Sequence, residues 1–205
     1  SSTGTTYTCC KGSTGTLYVR AVVSVAQTYA LTWKVTGLAA DDQATLSASS
    51  GGRDLTNGGS YAVNTPVSFH LEVDGKYYVT AWTNAEQSAS DPASATLTLT
   101  KDTEVTVTVA KKPTVSWDAS SITGGTISVK GTVNGTEGTA VISGGYVDPN
   151  TTITVTATPD HDYVVENINN AAVNTGKANG SVEANAVAVP ADGLRVTASF
   201  LAKPR

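Results

Sequence analysis

The chain has no methionine, only two cysteines and two phenylalanines, and few charges. Each shortage excludes something. With no initiator residue, a chain starting at Ser1 reads as processed or trimmed at its start, as a secreted protein would be. An extracellular or cell-surface location is therefore the expectation. The cysteines, Cys9 and Cys10, are adjacent. Adjacent Cα atoms lie ~3.8 Å apart across a trans peptide, short of the roughly 4.4 to 6.8 Å of a relaxed disulfide. No third cysteine exists, so an oxidising compartment would steer both thiols toward other chains. Two free thiols in a tail is the plainer alternative.

Charged residues make up 15% of the chain and the formal net charge is -4. No Lys/Arg cluster is longer than Lys111-Lys112, so the electrostatic footprint of nucleic-acid binding is missing. No uninterrupted apolar run approaches the roughly 18 to 20 residues of a membrane helix, and no membrane insertion is expected.

The inventory for catalysis is thin as well, because a nucleophile with its base, a metal cluster or paired carboxylates would be needed. His70 alternates with Ser68 and Glu72 on the polar face of its segment and reads as a surface histidine. His161 lies in Asp160-His161-Asp162, where Asp160 and Asp162 are the candidates for a cation; solvated turn chemistry is the favoured reading. Asp41-Asp42 and Asp148-Pro149-Asn150 read as turn caps in the same way. Trp33, Trp82, Tyr77 and Tyr78 would make a sugar-stacking platform if exposed together, but both tryptophans fall in phase with apolar neighbours, which favours core packing. No enzyme activity and no cofactor are expected.

What is abundant is Thr, Ser, Ala, Val and Gly, a composition of strands and turns. In residues 17 to 35 the odd positions Leu17, Val19, Ala21, Val23, Val25, Tyr29, Leu31, Trp33 and Val35 are apolar, with Gln27 the one exception among them. A period of two marks strands with one buried face, and the length predicts two strands joined at Ala26 to Thr28. Before them, residues 1 to 16 form a Ser/Thr/Gly tract with nothing to bury.

The chain is also self-similar. The segment 25 to 33 aligns with 109 to 117 at an offset of 84, ending on Trp33 and Trp117. Residues 64 to 69 align with 150 to 155 at 86, an offset that Asp74 and Tyr77 keep with Asp160 and Tyr163 and that Asn84-Ala85 keep with Asn170-Ala171. Residues 105 to 109 align with 196 to 200 at 91, and each run is followed by Lys-Pro. This predicts a connector arm at 1-28 and two tandem units at 29-112 and 113-205. In the first unit the predicted strands are 29 to 36, 44 to 49, 60 to 63, 66 to 73, 76 to 83, 95 to 100 and 104 to 110, separated by Gly- and Asp-rich turns. The expected fold is all-β, two small antiparallel sandwiches of immunoglobulin-like shape, with a β-grasp arrangement as the alternative.

One run carries a family resemblance. Gly144-Gly145-Tyr146-Val147-Asp148-Pro149-Asn150-Thr151-Thr152-Ile153-Thr154-Val155-Thr156-Ala157-Thr158-Pro159 resembles the Gly-Gly and "xxGTTVTLTATP" signature of bacterial cell-surface repeats of the internalin B-repeat (Listeria–Bacteroides) type. In the first unit, residues 75 to 83 resemble the "GYxFxGW" strand of those repeats; in the second, Ile168 stands at the place of the Trp. The resemblance implies a structural module of a bacterial surface or secreted protein, with no catalytic residues to carry over.

By the same alignment, Leu17 to Val25 matches Lys101 to Val109, so three copies of a closing strand accompany two bodies. Burying Leu17, Val19, Val23 and Val25 at about 1.5 to 3 kcal/mol each is nearly cancelled by ordering nine residues at about 1 to 2 kcal/mol each. Ladder hydrogen bonds and a covalent tie through Cys9 or Cys10 would tip that balance. The expectation is a homo-oligomer, an extracellular fibre in which strand 17-25, through Leu17, Val19, Ala21, Val23 and Val25, joins a neighbouring copy, cross-linked at Cys9 and Cys10. The alternative is an adhesin or carbohydrate-binding fragment of a longer surface protein, with a surface receptor or glycan as partner.

Overall fold

A computed structural model describes residues 26–169, 171–172 and 183–203. They form nineteen strands and one short 3-10 turn at Ala119–Ser121. The first nine are β1 (Thr28–Thr36), β2 (Ala44–Ser50), β3 (Arg53–Asp54), β4 (Gly59–Ala62), β5 (Thr65–Val73), β6 (Tyr77–Thr83), β7 (Glu86–Gln87), β8 (Ser94–Leu99) and β9 (Thr103–Lys111). The rest are β10 (Thr114–Ser116), β11 (Gly125–Val133), β12 (Thr136–Val141), β13 (Gly145–Tyr146), β14 (Thr152–Pro159), β15 (Tyr163–Ile168), β16 (Ala171–Ala172), β17 (Glu183–Ala188), β18 (Leu194–Arg195) and β19 (Ala198–Ala202). The fold is the expected all-β sandwich, and the seven main strands of its first half lie within a residue of where the alternation places them.

The first nine strands make two sheets, β4-β1-β9-β6 and β3-β2-β5-β8-β7. Alternation explains the layers: Val67, Phe69 and Leu71 of β5 are buried while Ser68, His70 and Glu72 between them are exposed. Leu31 and Trp33 of β1 and Val105, Val107 and Val109 of β9 are buried as well. The first strand runs parallel to the last, Leu31 opposite Thr103 through Thr36 opposite Thr108. The closing strand is thus central, held by β1 on one side and by antiparallel β6 on the other.

The remaining strands repeat this plan. The order β12-β11-β14-β17 mirrors β3-β2-β5-β8, while β13-β10-β18 and β16-β15-β19 together mirror β4-β1-β9-β6. The registers agree residue by residue. Leu31 lies between Gly59 and Thr103, and Val115 lies between Gly145 and Leu194. Those three equivalences have offsets of 84, 86 and 91, the offsets of the sequence repeat. Both copies carry a register shift at the same place, between Val79 and Ala81 and between Val165 and Asn167.

They differ in a short edge strand, β7 pairing with β8 but β16 with β15, and in the closing strand. The counterpart of β9 is broken between β18 and β19, where Asn169, at φ 51°, accepts from the Thr197 amide through its side chain (2.9 Å) and donates its own amide to the Thr197 carbonyl (2.8 Å). Asn84, at φ 62°, follows β6 and donates through its side-chain amide to the Glu104 carbonyl at 2.8 Å. Asparagine is one of the few side-chain-bearing residues that enters this left-handed region readily.

Candidate functional site

Among the described residues, side chains with chemistry gather in four places. At the junction of the two sandwiches, the Lys112 ammonium lies 3.0 Å from Asp148 Oδ1 and donates to Asn134 Oδ1 at 2.7 Å. Asp148 also accepts from the amides of Asn134 (3.1 Å) and Gly135 (2.6 Å), so one carboxylate ties together the junction and the tip of the β11–β12 hairpin. Burial pushes the Asp148 carboxyl up, but the Gly135 amide and the Lys112 ammonium outweigh it and hold the group below its ordinary value. Beside Asp148 opens a groove of about 770 Å³ over the outer face of β11 and β14, lined by Lys130, Glu137, Asn150, Thr152, Thr154 and Thr156 among others. No aromatic side chain lines it.

A second cluster lies at the same end of the first sandwich. Lys76 Nζ sits 2.5 Å from Asp42 Oδ1, and the Tyr77 hydroxyl donates to Asp42 Oδ2 at 2.6 Å while accepting from the Ala39 amide at 3.0 Å. The Lys76 hydrogen bond, with that of Tyr77, lowers the Asp42 carboxyl, and the Asp42 bond raises the Lys76 ammonium. Tyr77 is buried, which removes it from any sugar-stacking surface.

The third cluster is one that sequence reasoning missed. His70, Ser94 and Asp91 meet on an exposed sheet face, with His70 Nδ1 3.1 Å from Ser94 Oγ and Ser94 Oγ donating to Asp91 Oδ2 at 2.6 Å. The residue types are those of a nucleophile triad, but the order is wrong. A working triad passes the serine proton to the histidine, which the carboxylate orients from its far nitrogen. Here the carboxylate takes the serine hydrogen directly. The Ser94 hydroxyl, with the Ala93 amide, lowers the Asp91 carboxyl. The sequence held the Asp91-Pro92-Ala93-Ser94 turn; that it faces His70 comes from the β5–β8 register.

The fourth is the Asp160-His161-Asp162 turn. Asp162 sits at φ 70°, its carboxylate is 3.0 Å from His161 Nδ1, and both side chains are largely exposed. Asp160 spends its carbonyl on the Tyr163 amide at 3.1 Å, as Asp74 does for Tyr77 at 2.9 Å. No group of three or more His, Cys, Asp or Glu suited to a metal ion occurs among the described residues, so Asp160 and Asp162 gain no third ligand there.

Trp33 is 9% exposed, donates its indole N–H to the Leu46 carbonyl (2.8 Å) and meets Phe69 edge-on at 6.0 Å; Trp82 meets the same ring at 6.2 Å. These tryptophans pack the core. Its counterpart Trp117 is less buried and lines an apolar hollow of about 160 Å³ with Ile122 and Ile127. Leu17, Val19, Ala21, Val23 and Val25 of the proposed polymerisation strand, with Cys9 and Cys10, lie outside the described residues.

No curated protein matches the chain. Residues 117–204 match the family model of the divergent InlB B-repeat domain, so the second sandwich is similar to the family that the Gly144 to Pro159 run resembles.

Proposed function

We propose that the chain is a repeat-built structural segment of a bacterial surface or secreted protein, a stiff spacer rather than a catalyst. The observation that supports this reading best is the second sandwich, which matches a divergent InlB B-repeat model and whose registers the first sandwich repeats. Tandem copies of one β module, each with its own core, extend a chain by a fixed step. The groove beside Asp148 is lined by hydroxyls and charges without an aromatic side chain, which favours a mechanical role over sugar stacking. Antibodies raised against the folded chain test the location. Labelling of intact cells of the source organism supports the reading, and labelling that requires permeabilisation overturns it.

A second reading is a fibre built head to tail through strand 17-25 and cross-linked at Cys9 and Cys10. What favours it is the count of three closing-strand sequences against two bodies. The position of β9 bears on its form, since the counterpart of 17-25 is a central strand with partners on both sides. A donated copy would need a two-sided slot or would settle for one open edge. Native material run with and without reductant, together with negative-stain microscopy, separates the readings: a reducible ladder with fibres supports polymerisation, and monomers in both lanes exclude it.

A further inference from the structure

We propose that residues 112 and 113 form a rigid coupling, with Lys112 as its lock, so that the two sandwiches move as one body. The inference concerns only the chain's mechanics and stands whether or not the surface location is right.

The backbone leaves no free linker. The Lys112 amide donates to the Lys76 carbonyl at 2.8 Å, the last bond of the first sandwich, and the Pro113 carbonyl accepts from the Val147 amide at 3.0 Å, the first bond of the second. Between those two anchored peptide planes lie only φ and ψ of Lys112 and of Pro113, and two of the four are restricted. The pyrrolidine ring fixes φ of Pro113 near about -65°, and its Cδ confines ψ of the preceding residue to extended values.

The side chain closes what the backbone leaves. Lys112 extends from the end of the first sandwich to the Asp148 carboxylate and the Asn134 amide oxygen of the second, and its side chain is only 9% exposed. The Asp148 amide donates to the Thr132 carbonyl at 2.8 Å, so the acceptor is itself anchored. A well-sheltered, charge-assisted bond of this kind is stronger and more directional than a surface pair.

The repeat supplies a comparison inside the same chain. Lys112 and Asp148 occupy the places of Thr28 and Ala62, which face each other across β1 and β4 and are both exposed. An ordinary ladder start in this fold therefore needs no charge pair. The pair is found where two bodies meet.

Residual dipolar couplings on the ¹⁵N-labelled full chain read the coupling directly. Amides of β1 to β9 and of β10 to β19 are fitted separately, and one shared alignment tensor is expected. Lys112→Met combined with Pro113→Gly splits it into two tensors of different orientation or magnitude; Lys112→Met alone, which keeps the backbone and the proline, gives a smaller divergence. Two tensors in the unmodified chain overturn the proposal, as does a single unchanged tensor in folded Lys112→Met.

Discussion

Lys112 and Asp148 stand 3.0 Å apart at the position where the first sandwich places Thr28 opposite Ala62. Because the Asp148 carboxyl is held below its ordinary value, its contribution to stability is fully present above the unfolded carboxylate pKa of about 3.9 and is lost as pH falls through the lower folded value. Asp42 and Asp91 are lowered too, as is Asp118 by the Ser120 hydroxyl and amide that donate to it, and all act in the same window. Urea midpoints should therefore fall below about pH 4. In Asp148→Asn that acid limb should be shallower, because the variant keeps no titrating group at this place. An identical slope in the variant would remove Asp148 from the account.

Asp148→Ala tests the same group away from acid. It leaves the sheltered Lys112 ammonium without its carboxylate, which costs about 1 to 3 kcal/mol, and hands the exposed amides of Asn134 and Gly135 to water. The loss should appear in the second sandwich, as earlier hydrogen exchange at Asn134 and Gly135, while the amides of β5 and β8 keep their protection.

Phe69 is 2% exposed and touches both Trp33 and Trp82. Phe69→Ala should cost the first sandwich about 3 to 5 kcal/mol, because the ring's removal leaves a cavity that two rigid indoles cannot fill. Chemical denaturation followed by tryptophan fluorescence reads it, since two of the three tryptophans flank the site. The effect should be confined to the first sandwich, whose core includes no residue of the second.

Strands were legible because a buried face writes itself as alternation, and Val67, Phe69 and Leu71 against Ser68, His70 and Glu72 show it plainly. Partners were not, because alternation assigns a face and says nothing about which strand lies alongside. The parallel pairing of β1 with β9 joins residues 72 positions apart, Leu31 with Thr103, and no local signal encodes it. The repeat held more than composition did. Its offsets of 84 and 86 already align Lys112 with Thr28 and Asp148 with Ala62, so a charge gained at both places was the available sign of the junction pair. The Asp91, Ser94 and His70 cluster was hidden for another reason: it depends on the β5–β8 register, which only the structure supplies.

That cluster should be chemically inert. The Ser94 hydroxyl donates to Asp91, so its lone pairs face a donor at His70 rather than a base. A fluorophosphonate probe should fail to label Ser94, and Ser94→Ala should leave ester hydrolysis at the buffer background. Stoichiometric labelling at Ser94 would show that the hydrogen-bond order reverses in solution.

The value of the junction pair lies in its shelter, and transplanting it tests this. Thr28→Lys with Ala62→Asp would recreate the charges in the first sandwich, where both positions are exposed and face each other across β1 and β4. An exposed pair gains little Coulomb energy in water, loses rotamer freedom and is screened by salt, so its worth is about 0 to 1 kcal/mol. The double variant should therefore shift the urea midpoint of the first sandwich only slightly, and raising the salt concentration should erase that shift. Removing the native pair with Lys112→Met should cost more and should be nearly indifferent to salt, because the Lys112 side chain is 9% exposed and Asp148 is held by backbone amides besides. A transplanted pair as strong as the native one, or a native pair equally erased by salt, would mean that position in the ladder rather than burial between two bodies gives Lys112 its effect.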